Sequence, residues 1–385
     1  MAVFEESYFQ GEYREGFYIE NMMKRTWAAQ IDVLENVAKV CEKYGLRYFA
    51  DSGTLLGAVR HKGYIPWDDD IDIVMFREDY EKLVAIASKE LPEGYQVYDA
   101  RMSDSWSGAI SRIVNGAEVG YANPERMKKC HGCPYIVGID IFVFDSLPEE
   151  KEVEELLMDI MVSLWLIKCE VIGKETIDKA TEQRLSYIEE LCGVKLERGK
   201  KLANEILNLT DTLCCIYNKE DSEEVSCLYW YMGHRYYRFK REWYKDNVMM
   251  PFENIMISVP VGYDEILKVA YGQDYMVPRN KRGGHDYPHY RSQQEQWEQY
   301  EVRMVLKAVL QIETSEIEKI EAVNIGRQIG TYSCICRGKR YRVSVPRAGE
   351  SEKITEELTL GKADEVEEVM YINAEKGYCV ERYKI

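Results

Sequence analysis

The run Trp67-Asp68-Asp69-Asp70-Ile71-Asp72-Ile73-Val74 sets carboxylates into a stretch that otherwise reads as a buried strand, and this constrains the chain more than any other feature. In an extended segment side chains alternate, so Asp70 and Asp72 project to one face and Ile71 and Ile73 to the other. Carboxylates side by side repel, and without a cation one of them is expected to hold its proton. Their hard oxygens suit Mg²⁺ or Mn²⁺ rather than a metal that prefers thiolate. A second stretch, Val137 to Asp145, embeds Asp140 among β-branched and aromatic residues in the same way, 68 positions beyond Asp72. If the two strands are neighbours, Asp70, Asp72 and Asp140 can hold one or two Mg²⁺ ions against a phosphate or diphosphate, neutralising phosphoryl charge as it develops. The plainer alternative makes Asp68 and Asp69 a solvated approach to the strand and Asp140 a turn residue. Asp145, beside Ser146 and Pro148, can simply cap a helix.

Composition narrows the partners. The chain has 385 residues, 46% of them hydrophobic, which is ample for a substantial core. Its net charge of -17, from 67 acidic and 50 basic residues, argues against nucleic acid, because that affinity rests on neutralising phosphates. Any phosphate ligand must therefore be held locally. The first residues, Met1-Ala2-Val3-Phe4-Glu5-Glu6, lack the pattern of an export signal. Leu156 to Gly173 is the most apolar stretch, yet it contains Asp159, Lys168 and Glu170, so it reads as a core helix and no transmembrane segment is expected. Eleven scattered cysteines point to reduced thiols and a cytoplasmic protein.

Met23, Trp27, Ile31, Leu34, Val37 and Cys41 recur at helical spacing within residues 22 to 44, and Gly45 ends that helix. Short strands follow at Leu46 to Ala50, Ile71 to Phe76, Tyr95 to Asp99, Ala109 to Val114 and Val137 to Asp145, with helices at Thr54 to Val59 and Glu78 to Lys89. After Pro148 helical composition runs to about Lys219, and residues 225 to 310 are dense in Tyr and Trp, with a helix at Tyr263 to Tyr271. Beyond residue 330, Tyr332, Cys334 and Cys336 alternate before Arg337-Gly338-Lys339, and Tyr341, Val343 and Val345 after it, as in a hairpin. The fold class is α+β: a mixed β-sheet core flanked by helices, a helical, aromatic-rich extension and a small β-rich C-terminal module. The expected divisions are residues 1–148 as catalytic core, 149–329 as an extension completing the active site, and 330–385 as the terminal module.

Other groups offer chemistry. Gly53-Thr54, opening a helix, lets backbone N–H groups approach a phosphate, and Arg60 and Lys62 add positive charge from the same loop system. Trp67, next to the acidic strand, is the first candidate for an aromatic face toward a substrate. Arg112, Arg279, Lys281, Arg282 and His285 are candidates for a nucleotide phosphate or an anionic acceptor, the last four in a glycine-containing loop that reads as a lid. Cys130-His131-Gly132-Cys133 lacks a convincing second ligand pair, so buried or loop thiols are expected there rather than structural zinc. No organic cofactor is expected.

Residues 50 to 72, Ala50-Asp51-Ser52-Gly53-Thr54-Leu55-Leu56-Gly57-Ala58-Val59-Arg60-His61-Lys62-Gly63-Tyr64-Ile65-Pro66-Trp67-Asp68-Asp69-Asp70-Ile71-Asp72, strongly resemble the LicD family of phosphotransferases, related to the fukutins within the nucleotidyltransferase superfamily. The resemblance extends through Gly138-Ile139-Asp140-Ile141-Phe142 and Val259-Pro260 to Tyr271-Gly272-Gln273-Asp274-Tyr275-Met276 and His285, and stops short of the terminal module. It implies a nucleotidyltransferase-like core and transfer of a phosphorylated alcohol from a CDP-alcohol, typically CDP-choline, to a hydroxyl of a surface glycan, glycolipid or teichoic-acid precursor. On that pattern Gly53 and Thr54 meet the donor phosphates, Asp70 and Asp72 are paired metal ligands, and Asp140 is a third ligand or the base. Phe142-Val143-Phe144-Asp145 departs from the family, which often has proline and leucine after the third acidic strand.

Overall fold

The computed structural model describes residues 3–99, 108, 110–120, 124–219, 222–279, 287–325, 329–346, 369–373 and 379–383. In chain order the elements are β1 (Glu12–Arg14), β2 (Phe17–Ile19), α1 (Asn21–Tyr44), β3 (Phe49–Ala50), α2 (Ser52–Arg60), β4 (Asp72–Phe76), α3 (Arg77–Glu90), β5 (Gln96–Tyr98), β6 (Ser111–Val114), α4 (Pro124–Lys129) and β7 (Gly138–Ser146). Then come α5 (Lys151–Val171), α6 (Lys179–Cys192), α7 (Leu202–Cys214), β8 (Glu224–Ser226), α8 (Leu228–Tyr231), β9 (Phe239–Lys240), β10 (Asn247–Phe252), β11 (Ile255–Pro260) and α9 (Tyr263–Tyr271). The last are α10 (Arg291–Leu310), β12 (Ile317–Ile325), β13 (Ile329–Cys336), β14 (Lys339–Pro346), β15 (Val369–Asn373) and β16 (Cys379–Tyr383). The architecture is α+β, as the alternation of short strands and helices predicts.

The chain forms two compact units. The first comprises Met1–Glu5, Trp27–Ala117 and Val137–Gly283. Its mixed sheet has the strand order β3-β4-β7-β6-β5, with β8 and β9 continuing from β7. β4 and β7 run parallel and the other pairs antiparallel. Ile73, Val74 and Met75 are all buried, the near-continuous apolar run expected of a strand covered on both faces. α1 ends as the sequence predicts: Gly45 is left-handed at φ 65°, Gly45 N–H donates to Glu42 and Leu46 N–H to Cys41 (2.8 Å), so the last carbonyls are satisfied.

Asp145 does not cap a helix. It lies within β7, where both its oxygens accept from Arg77, Nε at 2.9 Å and Nη2 at 2.6 Å, and Asn218 Nδ2 donates to it as well. Arg77 reaches Asp211 through Nη1 (2.8 Å), so one guanidinium joins β7, the start of α3 and α7. Burial opposes the charge on Arg77, but Asp145 and Asp211 outweigh it and hold the guanidinium protonated. Beyond β7, helices α5, α6 and α7 enclose their own core of Met158, Met161, Leu164, Ile206 and Leu213.

The second unit comprises Glu6–Thr26, Glu118–Ile136 and Gly284–Ile385. Its five-stranded sheet, β12-β13-β14-β15-β16, is antiparallel except for the β14–β15 pair. The alternation read in the sequence puts Tyr332, Cys334, Cys336, Tyr341 and Val343 inside, packed with Val302 and Leu306 of α10.

Candidate active site

Parallel pairing of β4 with β7 brings Asp72 directly opposite Asp140, and antiparallel pairing of β6 with β7 brings Arg112 opposite Asp140. Residues in direct register share a face, so Asp72, Asp140 and Arg112 form a row across three adjacent strands. Gly138 makes the close approach of β6 possible: a Cβ there would lie 2.0 Å from the Ile113 carbonyl oxygen. Arg112 grips Asp140 side-on, with Nε on Oδ1 and Nη2 on Oδ2 (2.6 Å).

Asp70 falls two residues before the strand begins, so it reaches the site from the loop rather than from the sheet face. There Asp68, Asp69 and Asp70 can each bring a carboxylate oxygen within 4.8 Å of the others, the one such group of potential metal ligands among the described residues. The plainer alternative of a solvated approach fails at Asp69, which is 0% exposed. The loop is pinned from α1: Trp27 Nε1 donates to the Asp68 carbonyl (3.2 Å) and Gln30 Nε2 to that of Asp69 (3.0 Å). Tyr64 stacks on Trp27 at 4.5 Å and donates to Gln30 Oε1 (3.0 Å), which fixes both donors.

The turn into α2 locks onto the same strand end. Asp51 N–H donates to the Asp72 carbonyl (3.0 Å), and Asp72 N–H donates to Thr54 Oγ1 (2.8 Å). Thr54 is thereby held to the metal-ligand candidate through its side chain. A Cβ on Gly53 would meet Asp68 Oδ2 at 2.2 Å, so glycine is needed for the carboxylate to reach this position. Ser52 N–H is taken by the Asp51 carboxylate, and the amides of Gly53 and Thr54, with no acceptor within the helix, are donors at the rim of the carboxylate group.

Electrostatics match this crowding. Burial raises the Asp72 carboxyl well above its ordinary range, and Asp70, Asp140, Asp68 and Asp51 add to it in that order. The donor set of Asp68, Asp69 and Asp70 is entirely oxygen and suits Mg²⁺ or Mn²⁺, and a cation there would relieve the repulsion that raises Asp72; Asp72 and Asp140, of the three ligands expected from the sequence, lie outside that group.

Several contributors carried no assignment from the sequence. Asp51 is buried, its carboxyl raised by that burial although it accepts from the Tyr237 hydroxyl and from Ser52 Oγ. Tyr271, at the end of α9, is 41% exposed, and desolvation followed by the charges of Asp68, Asp51, Asp72 and Asp70 pushes its phenol up. Asp51 lies two residues before Gly53-Thr54, and Asp68 belongs to the aspartate run itself. Tyr271 opens the Tyr271-to-Met276 stretch that shares in the family resemblance, without a role attached to it, whereas Tyr237 is one among 29 tyrosines and nothing local distinguishes it.

The remaining candidates are placed unevenly. Arg60 Nη1 donates to the Tyr275 carbonyl (2.7 Å), joining α2 to the segment after α9. Lys62 is exposed on a left-handed turn residue (φ 58°) whose carbonyl accepts from Glu253 N–H. Trp67 is buried, with His61 edge-on at 6.4 Å. Arg279 pairs with Asp274, whereas Lys281, Arg282 and His285 lie outside the described residues. Cys133 is a buried thiol pushed up to about 12 by desolvation, and Cys130 is half-buried. Two cavities, of about 730 and about 540 Å³, are lined by none of the candidate residues; the first lies around Phe76 and Tyr244, the second between α1 and the β10–β11 hairpin.

Residues 45–120 match the LicD/FKTN/FKRP nucleotidyltransferase domain, a span that includes α2, the aspartate run and β4, with Asp140 beyond it. The chain is 28% identical over 253 residues, 64% of its length and 88% of the other's, to the Haemophilus influenzae lipopolysaccharide cholinephosphotransferase LicD. It is also 42% identical over 65 residues, 17% of this chain and 24% of the other, to an uncharacterised Rickettsia prowazekii protein. With the human ribitol 5-phosphate transferase FKRP it shares 49% identity over 43 residues, 11% of this chain and 9% of that one. The chain carries a LicD-family domain of the phosphotransferase and nucleotidyltransferase class, with an acidic cluster compatible with a divalent cation.

Proposed function

We propose that this protein transfers a phosphorylated alcohol, phosphocholine foremost, from a CDP-alcohol to a hydroxyl of a cell-surface glycan, glycolipid or teichoic-acid precursor. The observation that carries the reading is the buried Asp72, crowded by four other carboxylates beside the open N-terminus of α2. The similarity to a lipopolysaccharide cholinephosphotransferase over 88% of that protein supports the choice of alcohol and acceptor class.

The acceptor oxygen attacks the phosphorus that bears the alcohol, the bond from that phosphorus to the bridging oxygen breaks, and CMP leaves with the bridging oxygen. Gly53 and Thr54 offer amides to the donor phosphates, and Thr54 does so while tied to Asp72. Asp70, Asp72 and Asp140 would hold Mg²⁺ or Mn²⁺, with Asp68 and Asp69 alongside. When bound, such an ion neutralises phosphate charge and aligns the bond to be broken. Asp140, oriented by Arg112, shares the ion or takes the proton released by the acceptor. Tyr237 and Tyr271, both beyond residue 148, supply part of the site wall, the role proposed for an extension to the catalytic core. Among the described residues no helix is long and apolar enough to cross a membrane. The scattered free cysteines lead us to place the reaction in the cytoplasm.

The test is incubation with Mn²⁺, candidate glycans and a panel of CDP-choline and other CDP-alcohols, CDP-ribitol included. CMP together with a phosphocholine-bearing glycan is the expected outcome. Pyrophosphate release from CTP and a phosphorylated alcohol would replace the reading with nucleotidyl transfer. Unchanged Mn²⁺ binding in the Asp70→Asn, Asp72→Asn double variant would remove its metal basis and favour a silent glycan-binding protein.

A further inference from the structure

Arg112 is anchored in β6 opposite Asp140 and turns two donors, Nε and Nη2, onto the two oxygens of one carboxylate. A fork of this kind fixes the plane of a carboxylate as well as its charge. The row continues through Asp140 to Asp72, the carboxyl crowded by Asp70, Asp68 and Asp51. A guanidinium bonded within this row and a divalent cation held by it have the same sign and share the same carboxylates, so each raises the cost of the other. The fork nevertheless leaves a further lone pair on each Asp140 oxygen, and a carboxylate that is hydrogen-bonded from behind is better oriented as a ligand.

We propose that Arg112 is a built-in counter-cation that orients Asp140 and competes electrostatically with the divalent ion, holding metal affinity below what the carboxylates alone would give. The inference rests on the reading of Asp70, Asp72 and Asp140 as the cation site. In a protein without metal, Arg112 offsets part of the repulsion that β4 and β7 enforce. With metal and diphosphate donor present, the donor's own negative charge balances the excess positive charge, so tight binding of the ion is coupled to arrival of the substrate.

Mn²⁺ affinity measured by electron paramagnetic resonance tests this in the full chain, with folding checked by circular dichroism. Asp72→Asn is the control for the site itself: undiminished binding there sinks the cation reading, whatever Arg112 does. If Asp72→Asn does lose binding, Arg112→Met is expected to bind Mn²⁺ about fivefold to tenfold more tightly than wild type. Arg112→Lys, which keeps the charge but not the fork, is expected to stay within about twofold in Mn²⁺ affinity while kcat for transfer falls at least tenfold and KM changes little. A merely structural arginine would leave Mn²⁺ affinity unchanged or weaker in Arg112→Met. That result, or equal tightening in Arg112→Lys, overturns the proposal.

Discussion

Asp72 carries the main energetic conflict of the molecule, because the sheet buries its carboxyl where four like charges face it. Its pKa in the folded state lies well above the ordinary 3.8, so between those two values the folded protein holds more protons than the unfolded chain. Stability then falls as pH rises through that window, and the loss is complete above the folded-state value. Without divalent metal, the thermal midpoint of wild type should drop as pH climbs from about 4. Asp72→Asn should flatten the slope, leaving the residue due to Asp51 and Asp145, whose carboxyls burial also raises. Mn²⁺ should restore the midpoint above the window; a midpoint indifferent to both the variant and the metal would contradict the account. At this scale the sequence was informative where chemistry follows local spacing. Carboxylates set among Ile71, Ile73, Ile139 and Ile141 stand out, but the burial of Asp69 and the approach of Tyr237 and Tyr271 arise only from tertiary packing.

Strand and helix ends are fixed by a few polar ties, and the strongest is the Arg77 node. Arg77→Met would leave Asp145 buried beside Asp211 without its guanidinium, a change of the kind that costs about 3–5 kcal/mol. Urea denaturation should show that loss in the midpoint, with Mn²⁺ affinity retained in the folded fraction, because the node lies at the opposite end of β4 from Asp72. The bounds of α9 coincide with the sequence pattern, whose apolar spacing is regular. The β10–β11 hairpin was not anticipated. Pro251 lies within its first strand, and its turn uses Glu253 at φ 51°, neither of which advertises a hairpin.

Among the described residues each unit buries apolar side chains of its own, the sheet and α5–α7 in the carboxylate-bearing unit and Val302, Leu306, Tyr332 and Val343 in the other. Differential scanning calorimetry should therefore resolve two transitions, and Mn²⁺ should lift only the one belonging to the carboxylate-bearing unit, by mass action on its folded state. A single transition that moves as a whole would show the units to be one cooperative block. Alternating apolar residues made the terminal sheet legible. The assembly of the second unit from Glu6–Thr26, Glu118–Ile136 and Gly284–Ile385 was not, because it joins segments far apart in the chain and no composition change marks them.

Gly53 and Gly138 leave a last consequence for how such chains diverge. Both are fixed by clearance, one beneath the Asp68 carboxylate and the other beneath the main chain at Ile113. With Asp70, Asp72 and Asp140 in the roles proposed, a descendant that had abandoned catalysis could let them drift, yet it would still need the glycine at 138 to close its sheet. Retired copies would keep that architectural signature, and only the acids would tell them from working ones.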